Sequence, residues 1–106
     1  NLPATKTAYS TFLRLWPDNV TAAIGLANSH YALGEIRESE TVLRQAAERH
    51  PDSAAVLNNL AQTQSDQGRN DDALVTIERA IALKGPFLPA VRETRELILQ
   101  RMKTGN

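Results

Sequence analysis

No cysteine occurs among the 106 residues, which excludes a disulfide framework, a thiolate nucleophile and any cysteine-based metal site. Aromatic residues are scarce too: two Phe, two Tyr and one Trp. A core must therefore come from Ala, Leu, Ile and Val, which supply most of the 42% hydrophobic content. Such side chains suit closely packed helices and suit a β-sandwich poorly, since strands favour β-branched and aromatic residues. An excess of charge of one sign is missing as well, because Lys plus Arg and Asp plus Glu number 12 each. There is thus neither the basic surplus on which nucleic-acid binding draws nor an acidic tail, and no nucleic-acid partner is expected. No apolar run approaches the roughly 20 residues of a membrane span, and no stretch resembles a signal peptide. The glycines stand singly, so no phosphate-cradling loop is present. The chain starts at Asn1 rather than Met, which reads as a piece of a longer protein or a processed product.

What the sequence does contain is an internal repeat. Slid by 34 residues, Pro17 falls on Pro51, Ala22 on Val56, Leu26 on Leu60, Ala27 on Ala61, Gly34 on Gly68, Leu43 on Ile77, and Ala46 on Ala80. Ala23, Leu26, Ala27 and His30 sit at helical spacing, as do Leu57, Leu60, Ala61 and Gln64, each set forming one face of a first helix. Gly34 and Gly68 follow as stops, because the left-handed backbone that closes a helix is cheap for glycine. A second apolar stripe then runs through Val42, Leu43, Ala46 and Ala47, and through Ala73, Leu74, Ile77, Ala80 and Ile81. Asn70 is the expected N-cap of that second helix, with Asp71 and Asp72 favouring its positive end. Pro17 and Pro51 close the second helices, and Asp18–Asn19 and Asp52–Ser53 offer caps for the next ones. Lys84-Gly85-Pro86 marks the third boundary.

The pattern Leu–Ala–x–x–His/Gln–x–x–x–Gly, then small–x–x–x–Leu/Ile–x–x–Ala, then Pro, at a period of 34 residues, resembles the tetratricopeptide repeat (TPR). It departs from that consensus at Ala23 and Leu57, where an aromatic is usual, at His30 and Gln64 in place of Tyr, and at Ser39. The resemblance implies an all-α fold: a right-handed solenoid of about six antiparallel helices. Residues 1–19 hold the second helix of a partial repeat, over 4–16. Residues 20–53 and 54–87 are the two full repeats, and 88–106 carry the capping helix and tail. In that last helix Val91, Ile98 and Met102 are expected to pack inward, with Arg92, Glu93, Arg95, Glu96 and Arg101 in water. Trp16 is expected between repeats. The phrases "WPDNVTAAIGLANSHYALGE", "HPDSAAVLNNLAQTQSDQGRNDDAL" and "ALKGPFLPAVRET" also resemble the C-terminal TPR region of bacterial proteins that carry an upstream papain-like, bacteriocin-processing cysteine peptidase, which implies an accessory interaction domain.

In this family the first helices line a concave face that binds protein or peptide segments. The matching positions are Thr21, Ile24, Asn28, Tyr31 and Ala32, then Ala55, Asn58, Gln62, Ser65 and Asp66, with Asn59 beside them and Arg92, Glu96, Leu99 and Gln100 in the last helix. The expected binding residues are Ile24, Asn28, Tyr31, Asn58, Asn59, Gln62, Asp66 and Arg92. Amides donate and accept, so they bond an extended backbone, and Tyr31 adds an amphipathic anchor. The plainer alternative is a solvated helix face. The carboxylate clamp of some TPR domains is not expected: Asn28 and Asn59 match it, but Ile24, Pro89 and Glu93 stand where it needs cations.

No catalytic residue, cofactor or metal is expected. His30 and His50 are isolated, whereas zinc needs three or four converging ligands. Ser29 and His30 are sequence neighbours that point in different directions on a helix. The first rival reading is structural: an N-terminal helix presenting Tyr9, Phe12 and Leu13 forms a homodimer or continues a solenoid; in the second, the repeats dock substrate for an upstream catalytic domain.

Overall fold

The structure, a computed structural model, describes residues 1–105. These form six helices in chain order: α1 (Leu2–Leu15), α2 (Val20–Ala32), α3 (Ile36–Arg49), α4 (Ala54–Asp66), α5 (Asn70–Ala82) and α6 (Leu88–Lys103). The described residues contain no strand, so the chain is all-α. It divides into two compact units, Asn1–Pro51 and Asp52–Asn106.

In the first unit α2 is the central helix, packing against α1 on one side and α3 on the other. Its start is capped by Asn19, whose Oδ1 accepts the Ala22 N–H at 2.8 Å. Its end is a Schellman closure: Gly34 takes φ +81°, its N–H bonds the Tyr31 carbonyl, and the Glu35 N–H reaches the His30 carbonyl at 2.8 Å. A side chain would strain that left-handed backbone. Ala22, Ala23, Leu26 and Ala27 of α2 and Leu43, Ala46 and Ala47 of α3 are this unit's buried apolar residues. The small residues let the backbones approach, and Ser39 Oγ uses that closeness to donate to the Ala27 carbonyl at 2.8 Å.

The second unit repeats these devices with one more layer. Ser53 caps α4 through the Val56 N–H at 3.3 Å, and Gly68, again at φ +81°, closes it. Val56, Leu57, Leu60 and Ala61 of α4, Ala73, Ile77 and Ala80 of α5, and Val91 and Ile98 of α6 form its core. Gln64, at the tyrosine position of the repeat, is buried and accepts from Thr76 Oγ1 at 2.7 Å.

Several expectations are corrected. Helix α1 starts at Leu2 rather than residue 4, because Asn1 Oδ1 accepts the Ala4 N–H and Pro3 is tolerated in a first turn. Asn70 is the first residue of α5 and not its N-cap. Its buried side chain instead accepts from Ser65 Oγ at 2.6 Å, tying α5 to α4. Trp16 is exposed and leans on Phe12, with ring centroids 6.5 Å apart. Met102 is exposed, while buried Thr94 joins Val91 and Ile98 on the inner face of α6. Arg95 and Arg101 are half-buried and paired, with Glu78 and Asp66, rather than left in water. Tyr9 and Leu13 are half-buried against the first unit, and the bare apolar side chains of α1 are Leu2, Phe12, Leu15 and Trp16.

Candidate functional site

Helix geometry alone puts Ile24, Asn28 and Tyr31 on one side of α2, at spacings of four and three residues. Buried Leu26 lies about 140–160° around the helix from these three, while buried Ala23 and Ala27 flank the face on one side. Asn28 and Tyr31 are exposed and Ile24 is half-buried, so the face combines an amide, a phenol ring and an aliphatic side chain. Thr21 and Ala32 are exposed at its two ends.

In the second unit Asn58, Gln62 and Asp66 recur every fourth residue along α4, with Asn59 next to Asn58. Asn58 and Asn59 are half-buried, and Asn58 Oδ1 is out of reach of water with no hydrogen-bond donor. Gln62 and Asp66 are drawn to α6: Gln62 Nε2 donates to Thr94 Oγ1 at 3.3 Å, and Arg101 Nη1 donates to Asp66 Oδ1 at 2.8 Å and Ser65 Oγ at 2.9 Å. These bonds set the orientation of α6 against α4 and commit part of both side chains. Arg92 is exposed and lies about 200° around α6 from Thr94, so it does not join Gln62 and Asp66.

Sequence reasoning missed a three-residue ionic cluster in the first unit. Glu35, in the turn between α2 and α3, accepts from Lys6 Nζ of α1 at 3.1 Å and lies 2.8 Å from His30 Nδ1 of α2. The histidine hydrogen bond and then the lysine ammonium hold the Glu35 carboxyl below the ordinary glutamate value. A depressed carboxyl adds stability that is present above its unfolded pKa and lost as pH falls through its folded one. Comparing wild type with Glu35→Gln by chemical denaturation is therefore expected to show wild type more stable above about pH 5, with the gap closing below about pH 4. A gap of constant size from pH 3 to pH 7 would show that the pairing contributes nothing. Among the described residues no group of three or more His, Asp or Glu is placed to hold a metal ion, and no helix is long and apolar enough to cross a membrane.

A tetratricopeptide-repeat profile matches residues 24–89, and the chain belongs to the tetratricopeptide-repeat family. Over 70 residues it is 34% identical to the PsbD mRNA maturation factor Nac2, chloroplastic, of Chlamydomonas reinhardtii, a match covering 66% of this chain and 5% of that protein. Among solved structures it is similar to MamA MSR-1 C2, with a TM-score of 0.76 at 20% identity, covering 96% of this chain and 58% of that one. The chain thus spans a small part of Nac2 and just over half of the MamA chain. Domains of this fold are in general non-catalytic modules that bind other proteins.

Proposed function

We propose that the chain is a protein- or peptide-binding module that uses the exposed face of α2 in its first unit and that of α4 in its second, and that it performs no chemistry itself. The observation that carries this reading is the amide and phenol series along those two helices: Asn28 and Tyr31 exposed on α2, and half-buried Asn58 and Asn59 with exposed Gln62 on α4. Amides both donate and accept, so the outward-facing ones suit the backbone of an extended peptide. Ile24 and Tyr31 supply apolar contact, whereas Asp66 is paired with Arg101 and Arg92 lies off this face. Ordering an extended ligand opposes binding, so affinity is expected at about the micromolar level, equivalent to roughly −8 kcal/mol.

The test is affinity capture from the source cell, comparing the intact chain with Tyr31→Ala/Asn59→Ala. A protein retained by the first and lost by the second, with helicity unchanged, is the expected result. Equal capture by both would remove the α2 and α4 faces from consideration.

A second reading draws on α1, which has no buried residue and exposes Phe12 and Leu15, with exposed Trp16 just after it. An apolar cleft of about 300 Å³ lies beside it, lined by Ala8, Tyr9 and Phe12 of α1 and by Thr21 and Ala22 of α2. Such a surface favours self-association, or docking within a longer protein such as one with an upstream peptidase domain. A molecular mass that rises with concentration supports the homodimer; a constant monomer mass removes it.

A further inference from the structure

A second groove of different chemistry lies in the first unit. Helices α1 and α3 both pack on α2 but not on each other, and the space between them is about 270 Å³. Ala23 and Leu26 of α2 lie at its base, Arg14 of α1 forms one wall, and Gln45, Arg49 and His50 of α3 form the other. Leu26 lies about 140–160° around α2 from Ile24, Asn28 and Tyr31, and none of those three lines this groove, so it is separate from the face assigned above.

Its chemistry is one-sided. None of its lining residues is acidic. The Arg49 wall is paired with the Asp18 carboxylate, 80% exposed, which takes one bond from Arg49 Nη1 at 2.8 Å. An exposed ion pair of this kind holds weakly and yields readily to a better-placed anion. Arg14 is exposed and makes no ion pair among the described residues. His50 Nε2 is buried and lacks a hydrogen-bond partner, so its ring gains a bond on turning toward a carboxylate seated between the two guanidiniums.

We propose that this groove is a second binding site, for an acidic peptide segment that pairs a carboxylate with a neighbouring aliphatic side chain. The aliphatic group covers Ala23 and Leu26, and the carboxylate takes charge-assisted hydrogen bonds from Arg14 and Arg49. The volume is below the roughly 300–1,000 Å³ of small-molecule sites, so the groove takes one or two side chains of a peptide rather than a whole cofactor. Two guanidiniums over an apolar base also fit this better than a phosphate backbone, which calls for a longer run of cations.

The probes are a capped peptide of alternating leucine and glutamate, its leucine–glutamine counterpart, and inorganic phosphate, each titrated into the isotopically labelled 106-residue chain while amide chemical shifts are followed. The expected result is saturable movement at Arg14, Ala23, Leu26, Arg49 and His50 with the glutamate peptide. Binding of the glutamine peptide is expected to be about tenfold weaker, with a comparable loss in Arg14→Glu, whose spectrum stays folded. Equal binding of the two peptides overturns the proposal. So does phosphate saturating the same amides as tightly as the peptide, or no movement at about 10 mM peptide, a concentration that detects even affinities weaker than millimolar. Movement confined to Asn28, Tyr31 and Asn58 also overturns it, while leaving the first-helix reading intact.

Discussion

Leu57→Ala is expected to destabilise the protein by about 2–5 kcal/mol, the range for emptying a well-packed leucine site. Leu57 lies on α4 with no exposed surface, in the same core as Ile77 of α5 and Ile98 of α6, which are also fully buried. Side chains around a fully buried leucine relax only partly when it is truncated, so a cavity term adds to the lost transfer energy. Domains of this size hold together by about 5–15 kcal/mol, so one such change removes a large share of the total. Leu97→Ala is the matched control: the same chemistry on α6, where Leu97 is 45% exposed, is expected to change stability by no more than about 0.5 kcal/mol. Urea denaturation followed by helical circular dichroism reads both. A Leu57→Ala effect below about 1 kcal/mol would mean that the α4–α5–α6 core is not packed to the usual density of protein interiors.

That core was readable beforehand because it depends on period. Leu57, Leu60, Ala61, Ala73, Ile77 and Ala80 repeat at helical spacing, and all are buried. The helix ends were readable for a similar reason: Asn19 and Ser53 each do a local job that any chain of this pattern needs, and Gly34 and Gly68 do likewise. What stayed hidden was contact between helices. Asn70 has the right composition for a cap, but its buried side chain is claimed by Ser65 on the helix before it. Arg101 reads as a wet residue until α6 is laid against α4, where Asp66 and Ser65 meet it. The Lys6–Glu35–His30 cluster joins residues 29 and 5 positions apart, a combination no single helical period displays. The candidate binding residues fall between these cases. Their shared face on α2 and on α4 follows from spacing, whereas the capture of Gln62 by Thr94, and the separation of Arg92 from it, required the packing of α6.

The Tyr9–Gly25 contact is another such case, and it makes a prediction whose sign depends on a neighbour. Gly25 lies within α2, where glycine is about 1 kcal/mol poorer than alanine, so Gly25→Ala ought to stabilise a bare helix. In this protein a Cβ at position 25 would stand 2.7 Å from Tyr9 Cδ1 and closer still to Cε1 and Cζ of the same ring. The ring has to swing aside or α1 has to lift, and overpacking of this kind costs about 1–3 kcal/mol. Gly25→Ala alone is therefore expected to be neutral or destabilising, with part of the loss appearing as fraying of α1, which has no buried residue of its own to hold it. Tyr9→Ala removes the obstacle, and in that background the same Gly25→Ala change is expected to stabilise by up to about 1 kcal/mol. The difference between the two effects is a coupling energy of about 1–3 kcal/mol, within the range of residues in direct contact. Equal effects of Gly25→Ala with and without the Tyr9 ring would show that the ring does not rest on α2. The docking of α1 would then depend on the Lys6–Glu35 pair and on the walls of the groove that holds Arg14.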